Sequence, residues 1–429
     1  MIKQKFVALL IIIISIVALK SCSKKTLSVA SVTKSTAKIA NTQPYLILIS
    51  LDGFRWDYLE RFKPPNLSSF ANNGVKSAGL VPVFPTKTFP NHYTIVTGMY
   101  PDNHGLINNV FYDYQQDKIF SSRNRETSLD GRFYGGSPIW IEANKADLKT
   151  ASFFFVGSDA DIQGMHPTYY YKFDNSIKNE VRIAQALNWL RLDEKDRPQL
   201  ITLYFGDADS AGHRFGTDNE EELNKAILEI DTNLGNLFEG VAAIGLPVNI
   251  IIVSDHGMIN QSTDKLIPVE SIQNDDLFLA IDNGSMVNIH PKKEESVDSV
   301  FQYLKQRETN FKVYKTAETP GFEYTPTHKN WGAFQLIPDE GFYFANQPRI
   351  ETLIKNNVTT TGVHGLDSKH REMHGIFYAK GPAFKKDYEI AAFKSIHVFP
   401  LMCKLLGLEI PEFIVGDINQ IKEVLKDGY

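Results

Sequence analysis

The sequence predicts an α/β protein with a doubly wound, mostly parallel sheet and helices on both faces. Three observations carry that reading. Short runs that are apolar throughout recur along the chain, as strands buried on both faces require. Helical stretches separate them, and strand–helix alternation favours parallel pairing. Several runs end in acidic or histidine-bearing turns, and in such sheets ligands bind beyond the carboxyl ends of the strands.

In chain order, the first element is an export signal. Lys3 and Lys5 precede an apolar stretch from Phe6 to Leu19, which is followed by Lys20, Ser21 and Cys22. That stretch is short for a membrane span, which takes about 20 residues, and suits the h-region of a signal peptide. Leu19-Lys20-Ser21-Cys22 resembles the bacterial lipoprotein signal, in which the cysteine is lipidated after cleavage; a short uncleaved anchor is the alternative. Either way the protein is expected to be exported and membrane-anchored, with residues 1–21 as signal peptide. Residues 22–43, rich in Ser, Thr, Lys and Ala, read as the lipidated cysteine and a flexible tether. The only other cysteine is Cys403, so stability must come from core burial rather than from a disulfide.

Residues 44–429 read as one domain with no module after it. The 429-residue chain is 43% apolar and 22% charged, enough for a large core. Strands are expected at Tyr45–Leu51, Ala151–Val156, Leu200–Phe205, Val248–Val253 and Ile376–Ala379. Helices are expected from an Asn66 cap to Gly74, and from Glu220 to Ala243. The net charge of −5, without a long basic run, argues against a nucleic-acid polymer as partner. A small anionic substrate stays open, since bound metals add positive charge locally. A monomer is expected.

Chemistry concentrates at four strand ends. LILISLDGFRWD runs out at Asp52-Gly53, and ITLYFGDADSAGH carries Asp209 and His213, four apart. NIIIVSDHGM ends in Asp255-His256, and TTTGVHGLD offers His364 between glycines. Singly, an Asp-Gly is a turn and a loop histidine is only that. Together they form a carboxylate and imidazole set suited to Zn2+. In VFPTKTFPNHYTIVTG, Thr88 sits where a helix begins before Gly98. It is either an ordinary threonine cap or a nucleophile at an anion-binding helix start; spacing does not decide between these.

LDGFRWDYL, PTKTFPNHYTIVTGMYPDNHGLINNVFYD, PIW, FFFVGSDADIQG, DADSAGHRFG and IIVSDHGM together resemble the nucleotide pyrophosphatase/phosphodiesterase family of the alkaline phosphatase superfamily. The resemblance runs from Pro44 to LMCKLLGLEIP and implies an alkaline-phosphatase-like fold. It implies Thr88 as nucleophile, one zinc on Asp52, Thr88, Asp255 and His256, and a second on Asp209, His213 and His364. Asn109 would donate to a phosphate oxygen. Phe89, Tyr204 and Tyr170 would line the substrate pocket, and Phe173 falls near the family's base-stacking tyrosine. The sequence departs from the family pattern at Gly206-Asp207-Ala208, where an acidic pair and a proline are usual. Asp209 rather than Asp207 is taken as ligand because it keeps the D-x-x-x-H spacing. His290, His370, His374 and His397 match no ligand position.

The expected activity is cleavage of nucleotide phosphodiester or pyrophosphate bonds through a phospho-threonine, releasing a nucleoside 5′-monophosphate. A lipid- or choline-directed phosphodiesterase would share the metal site. A phosphomonoesterase fits the motifs less well, and a non-catalytic binding lipoprotein would have no use for every catalytic position being filled.

Overall fold

The computed structural model describes residues 45–429. The expected export signal, Cys22 and tether lie outside the described residues. Eight strands build the main sheet: β1 (Tyr45–Leu51), β2 (Val75–Ser77), β3 (Thr150–Phe153), β4 (Tyr169–Tyr171), β5 (Leu200–Phe205), β6 (Val248–Val253), β7 (Phe377–Lys380) and β8 (Tyr388–Ile390). Their order is β8-β2-β7-β6-β1-β5-β3-β4. All neighbours pair in parallel except around β7, which runs antiparallel to both β2 and β6.

β1, β5 and β6 coincide with three of the expected runs. Two of the expected strands need correction. The run Ile376–Ala379 is antiparallel, because an apolar run specifies burial on both faces but carries no direction. The strand expected over Ala151–Val156 stops at Phe153, where Phe154 takes a φ of 70° that no strand can continue through.

Alternate residues of a strand face opposite sides, so each strand feeds two cores. Leu46 and Leu48 enter one; Ile47, Ile49 and Leu51 enter the other. The helices used below are α1 (Pro65–Asn72), α2 (Thr88–Thr97), α3 (Asn179–Leu190), α4 (Asp207–Phe215), α5 (Glu220–Ile244) and α6 (Val398–Leu406). Tyr93 and Ile95 of α2 and Phe399 of α6 fill the first core. Phe70 of α1, Leu187 of α3 and Leu234 of α5 fill the second. Asn66 is not the cap of α1, which starts a residue earlier at Pro65. Asp231 of α5 takes the free amides of that end instead, accepting from Leu67 N at 2.7 Å and Asn66 N at 3.1 Å.

Between β6 and β7 lies a smaller antiparallel sheet of Phe278–Asp282, Val287–Pro291, Phe334–Pro338 and Phe311–Lys315, in that spatial order. It has its own core around Ile289, Val313 and Leu336, a layer the sequence reading did not separate. Among the described residues no helix is long and apolar enough to cross a membrane.

Sheet register positions the site. Ser50 of β1 lies opposite Tyr204 of β5 and Val253 of β6. These three parallel strands therefore end at one level, and Asp52, the start of α4 and Asp255-His256 emerge side by side.

Candidate metal centre and nucleophile

Asp52 and Gly53 turn directly after β1. Gly53 has a φ of 65°, and a Cβ there would come within 2.9 Å of Asp209 Cα, so glycine lets α4 close against the turn. Asp209 N donates to Asp52 O at 3.1 Å, joining the two elements. Asp209 and His213 lie one turn apart on α4, which puts them on the same face; His213 Nε2 is 3.4 Å from Asp209 Oδ1. Asp207 points its carboxylate at Asn179, which donates to both its oxygens at 3.0–3.1 Å. The histidine thus has Asp209, not Asp207, as its neighbour.

The three histidines are oriented alike. His256 Nδ1 bonds Gly257 O at 2.9 Å, His213 Nδ1 bonds Gly362 O at 2.8 Å, and His364 Nδ1 bonds Thr86 O at 2.8 Å. Carbonyls only accept, so each Nδ1 carries the proton and each Nε2 presents a lone pair. Those lone pairs face carboxylates. His256 Nε2 lies 3.1 Å from Asp255 Oδ2 and 3.6 Å from Asp52 Oδ1, and His364 Nε2 lies 4.0 Å from Asp209 Oδ1. Asp52 Oδ1, Asp209 Oδ1 and Asp255 Oδ2 are buried with no hydrogen-bond donor among the described residues.

An arrangement of facing acceptors repels itself unless cations lie between them. The electrostatics agree. Burial, then the Asp255 and Asp209 carboxylates, push Asp52 well above the usual carboxylate range. Burial and Asp209 do the same to Asp255. Burial drives His256 and His364 well below the usual imidazole value, keeping them neutral. Neutral imidazoles and clustered carboxylates fit divalent cations, with backbone carbonyls fixing the ligand tautomers.

Thr88 opens α2. Lys87 is the capping residue and makes no side-chain cap, so Thr88 is not an ordinary N-cap. Its Oγ1 lies 3.3 Å from His256 Nε2, at the helix start that favours an anion. Asn109 accepts from Phe89 N at 2.9 Å through Oδ1, so its NH2 group is the part of the side chain that can donate.

Sequence reasoning missed several residues here. His92, one turn after Thr88, is buried; its Nδ1 lies 2.9 Å from Thr88 O and 3.1 Å from Asp255 Oδ2, and its Nε2 lies 2.7 Å from Ser50 Oγ. Its Nδ1 donates to the Thr88 carbonyl and its Nε2 is taken by Ser50 Oγ, so it holds the start of α2 rather than offering a lone pair. The four-residue spacing from Thr88 was the available signal. Lys87 Nζ donates to His364 O at 3.1 Å and lies 2.8 Å from Tyr343 OH, which also donates to His364 O at 2.9 Å. This clamp ties the His364 loop to the residue before Thr88, and burial lowers Lys87 to about 7.

A slot opens beside Thr88, lined by Phe89, Phe173 and Tyr204 among others. Tyr204 has a second role: its OH donates to Asp52 Oδ2 at 2.6 Å. Tyr170 requires correction, since it does not line the slot. On β4 its neighbours Tyr169 and Tyr171 pack on the core, and strand alternation sends Tyr170 the other way, where it stacks on His166 with ring centroids 4.5 Å apart. His290 packs beside Tyr114, His374 bonds Ser368 O, and His397 accepts from Asp417 N; none joins the cluster.

Comparison with known proteins gives a consistent picture. Residues 46–367 match the family described as type I phosphodiesterase / nucleotide pyrophosphatase. Ectonucleotide pyrophosphatase/phosphodiesterase family member 1 of Rattus norvegicus is 34% identical over 85% of this chain and 41% of its own length. Family member 7 of the same species is 32% identical over 90% of this chain and 88% of its own. The chain thus spans about two fifths of the first of these relatives and most of the second. Murine ectonucleotide pyrophosphatase/phosphodiesterase 5, solved as an inactive threonine-to-alanine variant in complex with AMP, superposes with a TM-score of 0.81 at 32% identity, covering 90% of this chain and all of that one.

Proposed function

Because this chain belongs to the type I phosphodiesterase/nucleotide pyrophosphatase family, we propose that it is a two-zinc phosphodiesterase that cleaves nucleotide phosphodiester or pyrophosphate bonds and releases a nucleoside 5′-monophosphate. The observation that carries the proposal is the convergence of Thr88 Oγ1, three donor-less carboxylate oxygens and three imidazole lone pairs. Asp52, Thr88, Asp255 and His256 would hold one zinc, and Asp209, His213 and His364 the other. Bound zinc supplies Lewis acidity, lowering the pKa of a nearby hydroxyl or water and neutralising charge on the phosphate.

The chain's own residues do the rest. Thr88 Oγ1 attacks the phosphorus bonded to the ribose 5′ oxygen, the bond to the leaving oxygen breaks, and the nucleoside monophosphate left esterified to Thr88 is then released by water. The start of α2 favours the incoming anion. Asn109, aimed by Phe89 N, donates where charge builds on the equatorial oxygens. His92 braces the carbonyl of Thr88, and Tyr204 holds Asp52 from the slot side. Phe89 and Phe173 offer flat faces to a base.

Export and membrane anchoring through Cys22 belong to the same proposal, supported by the N-terminal residue pattern. A choline headgroup suits the slot less well than a base. A trimethylammonium wants an aromatic cage with a free acid, whereas Asp159 in this slot is paired with Arg125. Assaying p-nitrophenyl thymidine monophosphate, p-nitrophenyl phosphate and p-nitrophenylphosphorylcholine side by side tests the reading. The nucleotide ester should turn over fastest; preference for either of the others would overturn it.

A further inference from the structure

The slot beside Thr88 has aromatic walls and a polar end made by Arg125, Ser128 and Asp159. The members of that end are not equally available. Asp159 has a side chain only 9% exposed, and its Oδ2 already accepts from Arg125 Nη2 and from Phe173 N at 3.0 Å. The Arg125 side chain is 41% exposed. It also donates from Nη1 to Ser128 Oγ at 3.2 Å, which leaves most of its five N–H groups free. Arg125 is the one cation among the described residues lining this slot, and the hydroxyls of Ser122 and Ser128 there can donate or accept. The accessible polar end is therefore a fixed donor, with the acid recessed behind it.

Nucleobases differ in how they meet a donor. Guanine presents O6 and N7 as adjacent acceptors, and thymine or uracil presents O4. Adenine and cytosine carry amino groups at the corresponding positions. An amino group against a guanidinium leaves two donors facing each other, with one of them desolvated and unpaired.

We infer that Arg125 is a specificity-determining residue that makes the slot favour nucleotides with keto bases, guanine and uracil or thymine, over those with amino bases. This rests on the nucleotide reading above and adds a rule to it. Asp159 orients the guanidinium and, through Phe173 N, ties the stacking residue to the reading residue.

The test is kcat/KM for GTP, UTP, ATP and CTP, read as nucleoside monophosphate released by one enzyme preparation. The keto-to-amino ratio should be about 5- to 150-fold, the range of a good guanidinium–base contact. Arg125→Leu should bring the ratio towards one. Arg125→Lys, which keeps a charge beside Asp159 but loses the planar fork, should fall between. Because ratios are taken within one preparation, the folded fraction cancels. Equal turnover of all four by the wild type, or an unchanged ratio in Arg125→Leu, would overturn the inference alone. Hydrolysis of bis(p-nitrophenyl) phosphate with no turnover of any nucleotide would overturn the nucleotide reading and the inference with it.

Discussion

The metal-facing cluster and the slot beside it are built on different principles. The cluster rests on backbone. Asp52, Asp255 and His256 follow β1 and β6 at one level of the sheet, and carbonyls of Gly257, Gly362 and Thr86 set its histidines. The slot rests on side chains that reach in from separate segments: Phe89 from the first turn of α2, Arg125 from a short helix, Asp159 and Phe173 from loops. Chemistry is therefore placed by the fold, whereas selectivity is placed by residues that can change without disturbing it.

The largest expected effect lies in the cluster. Asp255→Asn should remove turnover on every ester and lower zinc content by elemental analysis; full activity with normal zinc would break the distinction. The same variant should stabilise the metal-free protein. Asp255 is held well above the usual carboxylate range, so the native state binds its proton more tightly than the unfolded state does. Stability of the metal-free wild type from this group is therefore lost as pH rises from about 4 through the native value. The melting-temperature advantage of Asp255→Asn in chelator should grow over that rise; a constant difference would contradict it.

In the slot, losses should depend on the substrate. Phe89→Ala or Phe173→Ala should cut kcat/KM for nucleotide esters by about 5- to 150-fold, the worth of a base–aromatic stack. They should change bis(p-nitrophenyl) phosphate much less. Equal losses would mean that these residues shape the cluster instead.

Tyr204 belongs to both regions, so it sharpens the comparison. Tyr204→Phe keeps the ring but loses the bond to Asp52. It should cost about 10- to 100-fold in activity or metal affinity, as loss of a partner behind a ligand does, and equally on both substrates. A loss confined to nucleotides would assign Tyr204 to the slot alone. The smallest effect is expected at Asp207, whose partner is Asn179. Asp207→Ala should keep its zinc, while Asp209→Ala should lose it.

Legibility in the sequence divides along the same line. β1, β5 and β6 could be read because they are apolar throughout, and the polar residues that end them mark the sheet edge. Direction could not be read, hence the reversed β7, and the short alternating strands around Ile289 and Leu336 left no clear run. Thr88 was readable as a helix start, but its lack of a capping role needed coordinates. His92 showed only its spacing from Thr88, since its other partner, Ser50, is distant in sequence, and the Lys87–Tyr343 clamp was hidden because its partners are distant and include a backbone carbonyl. Tyr170 was misplaced because three consecutive tyrosines share a strand, and only pairing tells which face each takes. The Arg125–Asp159 pair was hidden because its members are 34 residues apart.

The central claim is that Thr88 carries the phosphoryl group at a metal site that other residues hold. Its most direct test is phosphopeptide mass spectrometry of enzyme acid-quenched during turnover of a nucleotide ester. The nucleoside monophosphate should appear esterified to Thr88 of the wild type. In Thr88→Ala, which should retain its zinc through the six other ligands, no phosphopeptide and no turnover should remain. A nucleoside monophosphate on another residue, or wild-type turnover by Thr88→Ala, would contradict the account.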